Sequence, residues 1–176
     1  MRTRTRRRAS WWDYRNSAAY FVTICTKNRI NFFGEIISQK GKIDFKLTDI
    51  GEIAYQYFEE IPNHIENVQI DNFVIMPNHV HGIIIITENL EKNGGEPNGS
   101  LVQRKGKIIP VKGELGVIIR SYKSAVTRES RMLNPFFGWQ ANYHDRIIRD
   151  ASEYDRIDKY ITNNPANWGN DKFYKK

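Results

Sequence analysis

The chain has 176 residues, 40% hydrophobic and 27% charged, with a formal net charge of +7. That excludes a chain dominated by disorder and leaves room for one compact domain with a real core, not for a second. The positive balance favours a polyanion as partner, nucleic acid before an anionic membrane, against the plain alternative of a basic protein with no such partner.

Arg2-Thr3-Arg4-Thr5-Arg6-Arg7-Arg8 forms a basic arm. Ser10-Trp11-Trp12-Asp13-Tyr14 follows it where a secretory signal would carry an apolar core. Tyr20 to Thr26 alternates and is β-branched, which predicts a strand. Its Cys25, the single cysteine, is expected to be a small core residue and excludes an intrachain disulfide. Glu35–Ser38 and Lys42–Leu47 flank Lys40-Gly41 and predict a small hairpin. Thr48 or Asp49 is expected to cap a helix running to about Glu60. Ile50, Ile53, Ala54, Tyr57, Phe58 and Ile61 make its apolar face, and Pro62 is expected to stop it.

Val68–Met76 and His79–Thr87 predict two antiparallel strands joined by a tight turn or bulge at Pro77-Asn78. The longest apolar run, Ile83–Ile86, is far short of a membrane span, so a cytoplasmic location with no membrane partner is expected. Glu88 to Lys112 is rich in glycine, asparagine and lysine and predicts a long loop. Leu115 to about Met132 has strong helical periodicity, with Leu115, Ile118, Ile119, Tyr122, Ala125 and Val126 inward. Trp139–Ile148 is expected to be extended. A last helix begins at Ala151 or Ser152 and ends near Asn163, ahead of Pro165. Strand, helix, strand, strand, helix, strand, helix, with the inserted hairpin, predicts an α+β fold. It is a ferredoxin-like antiparallel sheet with helices on one face, followed by a C-terminal helix.

The sharpest motif is Met76-Pro77-Asn78-His79-Val80-His81. In a strand, His79 and His81 project from one face, roughly 7 Å apart at about 3.3 Å rise per residue, and Val80 points into packing. Two neutral imidazoles so placed can share one divalent ion. The bland alternative makes one a surface residue and the other a satisfied core group. Tyr160 and Asn164 are four apart on the last helix and share a face. The Asn164 amide oxygen is a hard donor suited to Mg²⁺ or Mn²⁺, and the Tyr160 phenol could meet a phosphate on the same ion. A core aromatic and a helix cap are the alternatives. Arg120, Lys123, Arg128 and Arg131 on one helix, Arg146 and Arg149 near the last strand, and Arg6, Arg7, Arg8 and Trp12 in the arm are candidate nucleic-acid contacts; a solvated surface is the alternative.

The histidine motif, then Arg120-Ser121-Tyr122-Lys123-Ser124-Ala125-Val126-Thr127, Trp139-Gln140-Ala141-Asn142-Tyr143 and Tyr160-Ile161-Thr162-Asn163-Asn164-Pro165, stand in an order that resembles the HUH-type single-strand DNA tyrosine transposases. The branch resembled is that of the REP-associated tyrosine transposases. The resemblance spans roughly residues 20–168. It implies an arm over 1–17, a catalytic domain over 18–168 and a tail over 169–176, in a prokaryote-like cell. It implies His79 and His81 as metal ligands and Tyr160 as nucleophile on the last helix. Asn164 matches a position where many relatives carry glutamine as third ligand; asparagine is one methylene shorter. The implied activity is Mg²⁺- or Mn²⁺-dependent cleavage and rejoining of single-stranded, hairpin-forming DNA through a 5′-phosphotyrosine, by a monomer or homodimer. A catalytically silent hairpin-binding protein and a nuclease using water are the competing readings.

Overall fold

The computed structural model describes residues 18–39, 42–87 and 115–174. The basic arm with Arg6, Arg7, Arg8 and Trp12, and the loop expected over 88–112, lie outside the described residues. The elements are β1 (Ala18–Cys25), β2 (Gly34–Gln39), β3 (Lys42–Leu47), α1 (Asp49–Glu59), α2 (Ile61–His64), β4 (Val68–Met76), β5 (His79–Ile86), α3 (Leu115–Leu133), β6 (His144–Ile148) and α4 (Ala151–Asn163). A 3₁₀ segment, Pro165–Asn170, follows α4.

The main sheet is antiparallel, in the order β4-β5-β1-β6, and β2-β3 form a separate hairpin. This is the ferredoxin-like arrangement. The strands are two-faced because side chains alternate. Tyr20, Val22 and Ile24 of β1 and Val80 and Ile84 of β5 join one buried cluster with Ile50, Ala54 and Phe58 of α1 and Leu115, Ile118, Ile119, Tyr122 and Val126 of α3. Gly82 lies on this face because a Cβ there would fall 2.6 Å from the Phe58 ring. The opposite face carries α4, whose Ile157 and Ile161 pack with Ile83, Phe21, Val74 and Ile85. So α1 and α3 share one face, and the C-terminal helix covers the other, mainly over β4 and β5.

Local signals explain the boundaries. The Thr48 side chain accepts from the Gly51 N–H and caps α1. Asp150 accepts from the Glu153 N–H and caps α4. α1 ends at Glu59, ahead of Pro62 as expected, and Pro62 then sits in the first turn of α2, where a missing N–H costs no hydrogen bond. Between Trp139 and Ile148 only His144–Ile148 forms a strand; Trp139 makes one isolated bridge to Thr26. Trp139 packs against Phe33, Tyr122 and Phe137, and its indole N–H donates to the Lys123 carbonyl. Cys25 is buried beside Met76, Trp168 and Phe173.

Candidate metal and tyrosine site

His79 and His81 emerge from β5 on the α4 face, and both are 0% exposed. Their ring centroids are 4.4 Å apart. Each ring is held at Nδ1. The Asn78 Oδ1 lies 2.9 Å from His79 Nδ1, and the Thr23 hydroxyl lies 2.8 Å from His81 Nδ1. Asn78 is itself fixed: its Nδ2 donates to the carbonyls of Phe173 and Arg29, and its own carbonyl accepts from the Thr26 N–H and hydroxyl. Nδ1 partners of this kind orient an imidazole and leave Nε2 as the coordinating atom.

Burial drives both histidines toward the neutral form. His79 is held well below the usual imidazole range by burial first, then by electrostatic coupling to His81 and by the positive charges of Lys172 and Arg29. His81 is lowered to about 3, again by burial first and then Lys172, against a hydrogen bond to the Val22 backbone. Both present lone pairs at neutral pH.

Tyr160 reaches this pair from α4. Its hydroxyl is 3.2 Å from His81 Nε2 and 3.4 Å from Asp171 Oδ2, and the residue is 40% exposed. Phe21 stacks on His81 and meets Tyr160 edge-on. The phenol is pushed above its ordinary value by burial first, then by the Asp171 charge, while a hydrogen bond with Asn164 pulls it down.

Asp171 is the residue that sequence reasoning missed. A nitrogen of His79, a nitrogen of His81 and an oxygen of Asp171 all lie within 4.8 Å of one another, a spacing that could hold a metal ion. Asn164 stands beside them. Its Nδ2 donates to Asp171 Oδ2 at 3.3 Å, and its buried Oδ1 has no hydrogen-bond partner. His79 Nε2 is likewise buried without one. Such orphaned acceptors are costly unless something satisfies them. Two imidazole nitrogens, a carboxylate and an amide oxygen suit a divalent cation that accepts mixed nitrogen and oxygen donors. The residues present fit the group.

Asp171 and Phe173 lie in the stretch expected to be a tail. Instead the chain turns back after α4. Phe173 is 3% exposed and its ring lies 4.5 Å from His79, with Trp168 on the same imidazole at 5.9 Å. No periodic pattern marks this segment; only an acidic and an aromatic residue within reach of the helix end hinted at it.

Other tyrosines that could serve as nucleophile are occupied elsewhere. Tyr122 is buried and donates to the Ala54 carbonyl. Tyr154 hydrogen-bonds Asp71, and its phenol is pushed up to about 12 by burial first and then by that bond. Tyr143 packs against the main core. His64 is exposed and lies 3.9 Å from Glu60.

The predicted basic residues divide. Arg120, Lys123, Arg128 and Arg131 sit on α3, across the sheet from the histidines. Lys123 donates to the Gln140 and Ala141 carbonyls, Arg131 to the Phe137 carbonyl, and Arg128 pairs with Glu129 and Tyr57. Two of these therefore fasten the 137–141 segment. Arg146 is on β6, on the histidine face, and pairs with Glu153; Arg149 is exposed just beyond that strand.

No family model matches the chain. It is 40% identical over 171 residues to an uncharacterized protein of Haemophilus influenzae, covering 95% of this chain and 91% of that one. Among solved structures, a REP-associated tyrosine transposase bound to a REP hairpin superposes with a TM-score of 0.59 at 16% identity, over 92% of this chain and 75% of that one. A candidate transposase from Deinococcus radiodurans R1 superposes at 0.44, with 13% identity over 89% of this chain and 95% of that one. No helix among the described residues is long and apolar enough to cross a membrane. The chain belongs to one family with the Haemophilus influenzae protein and has the fold of the REP-associated tyrosine transposases.

Proposed function

We propose that this protein cleaves and rejoins single-stranded, hairpin-forming DNA with a divalent metal ion, Mg²⁺ or Mn²⁺, through a 5′-phosphotyrosine on Tyr160. The observation that carries the reading is the meeting of one phenol with two neutral, oriented imidazoles and two further oxygen donors, all within one chain. A hairpin-bound transposase of the same fold supports the choice of DNA.

His79, His81 and Asp171 would hold the cation, with Asn164 Oδ1 as a fourth donor. Once bound, it would supply Lewis-acid polarisation of the scissile phosphate and neutralise charge developing on the phosphorane oxygens. The Tyr160 oxygen forms the new P–O bond as the bond from phosphorus to O3′ breaks. The phenolic proton leaves, with Asp171 Oδ2 the acceptor it already faces, and the departing O3′ gains a proton as 3′-OH. Phosphodiester is exchanged for phosphodiester, so attack by a second 3′-OH rejoins strands without ATP. At rest the phenol is a poor nucleophile, because burial and Asp171 raise its pKa. The positive charge of a cation held by His79, His81 and Asp171 would offset the carboxylate and reverse that bias.

Incubating labelled single-stranded hairpin DNA with the protein and Mn²⁺ tests this. A covalent adduct lost in Tyr160→Phe is expected, with cleavage also lost in His79→Ala and His81→Ala while DNA binding largely persists. Binding without cleavage would leave a silent hairpin-binding protein, and cleavage surviving Tyr160→Phe would leave a nuclease using water.

A further inference from the structure

On the histidine face, α4 packs mainly over β4 and β5. Beyond it, toward β1 and the edge strand β6, the same face carries a groove of about 350 Å³. Phe21 and Thr23 of β1, His144, Asp145 and Arg146 of β6, and Arg29, Lys172 and Phe173 line it, three cationic side chains against one carboxylate. The register explains the placement: Phe21 pairs with Arg146 and Thr23 with both His81 and His144, so one row of side chains runs from the histidine pair to the sheet edge.

Two of these groups tie the groove to the metal site. Phe21 stacks on His81, and Thr23 fixes its Nδ1. Two others bring positive charge. Arg29 and Lys172 both lie over the Phe173 ring, at 4.9 and 4.8 Å, and Arg29 also donates to the Lys172 carbonyl. Their charge is felt at the histidines: Lys172 lowers both imidazoles and Arg29 lowers His79. Held there, an ammonium and a guanidinium present several N–H donors beside an aromatic wall. Phosphate oxygens and base faces are the groups such a wall recognises.

We propose that this groove seats the single-stranded DNA adjoining the scissile phosphate, with Arg29 and Lys172 gripping its phosphates and Phe21 receiving a base. The proposal rests on the reading of the site as a DNA-cleaving centre. It differs from a general basic surface because it predicts selectivity for an unpaired strand: the groove is lined by aromatic rings and continuous with the site, whereas the α3 cations lie across the sheet.

The test is anisotropy of fluorescein-labelled oligothymidylate and of a blunt duplex, with the full chain, across a salt series. The variants are Lys172→Gln, Lys172→Glu and Arg29→Gln. Lys172 is exposed, so its variants should fold normally, which a thermal melt checks. Loss of one phosphate contact should weaken binding of oligothymidylate and lower its salt slope by about 1 in Lys172→Gln, with a larger loss of affinity in Lys172→Glu. Duplex affinity should change by less than about twofold, as for a site not involved. Unchanged oligothymidylate binding in Lys172→Glu, equal losses on both probes, or no oligothymidylate binding by the parent protein would each overturn the proposal. Adduct formation at Tyr160 is scored separately. An adduct with no groove effect removes the groove alone; a groove effect with no adduct removes the catalytic reading alone.

Discussion

The two faces of the main sheet are built from the same strands and differ in almost everything else. On the α1/α3 face, Val80, Ile84 and Gly82 of β5 meet Phe58 and Tyr122 in a buried apolar core. On the α4 face, the intervening residues His79 and His81 are equally buried, yet that side holds orphaned polar atoms and a half-exposed phenol. One strand thus serves packing and chemistry through its two-residue period. Burial does different things on each side: it stabilises the first and tunes donors on the second.

Substitutions should break this contrast in opposite ways. Tyr160→Phe should lower adduct formation by at least about 10³-fold, the scale on which losing a covalent nucleophile acts. It should barely move the melting temperature, because the lost hydroxyl belongs to an exposed side chain. Phe58→Ala should do the reverse. It empties a fully buried ring position and should cost roughly 3–5 kcal/mol in denaturant unfolding, with adduct formation per folded molecule nearly unchanged. If Tyr160→Phe destabilised the fold as much as Phe58→Ala, the two faces would not be functionally distinct.

A smaller effect is expected at Asn78, which orients His79 without touching an ion itself. Asn78→Ala should weaken Mn²⁺ binding by about 10–100-fold, the usual cost of losing an outer-shell partner, as read by calorimetry. The smallest effect is in pH. Both histidines have folded pKa values below the unfolded 6.5, so the unfolded chain binds more protons in that interval. Their contribution to stability is present above pH 6.5 and declines as pH falls toward about 3, the value for His81. Denaturant midpoints of the metal-free protein should drop across that window, and His79→Ala/His81→Ala should flatten the drop.

How much of this was legible in the sequence follows from where periodicity exists. The apolar spacing of α1 and α3, the Thr48 cap, the turn at Pro77-Asn78 and the shared face of His79 and His81 all follow from local rules. So does the pairing of Tyr160 with Asn164 across one helical turn. Asp171 and Phe173 were not legible. They lie in an aperiodic return segment whose position is set by contacts such as Asn78 to the Phe173 carbonyl, between residues 95 apart in the chain. The groove was hidden for the same reason, since Arg29 and Lys172 are neighbours in the fold but stand 143 residues apart in the chain. The end of α1 ahead of Pro62 was legible, but the short α2 was not, because a proline that breaks one helix is also well suited to begin the next.

The central claim is that the imidazole pair and the phenol act on one phosphate, and mapping the covalent product tests it most directly. The protein would be reacted with single-stranded hairpin DNA and Mn²⁺, digested, and the nucleotide-bearing peptide sequenced by mass spectrometry. The account predicts a phosphotyrosine at Tyr160, formed only when the divalent cation is present and absent from His79→Ala. A phosphotyrosine at Tyr143, Tyr154 or another tyrosine, or the same Tyr160 adduct in His79→Ala/His81→Ala, would contradict it.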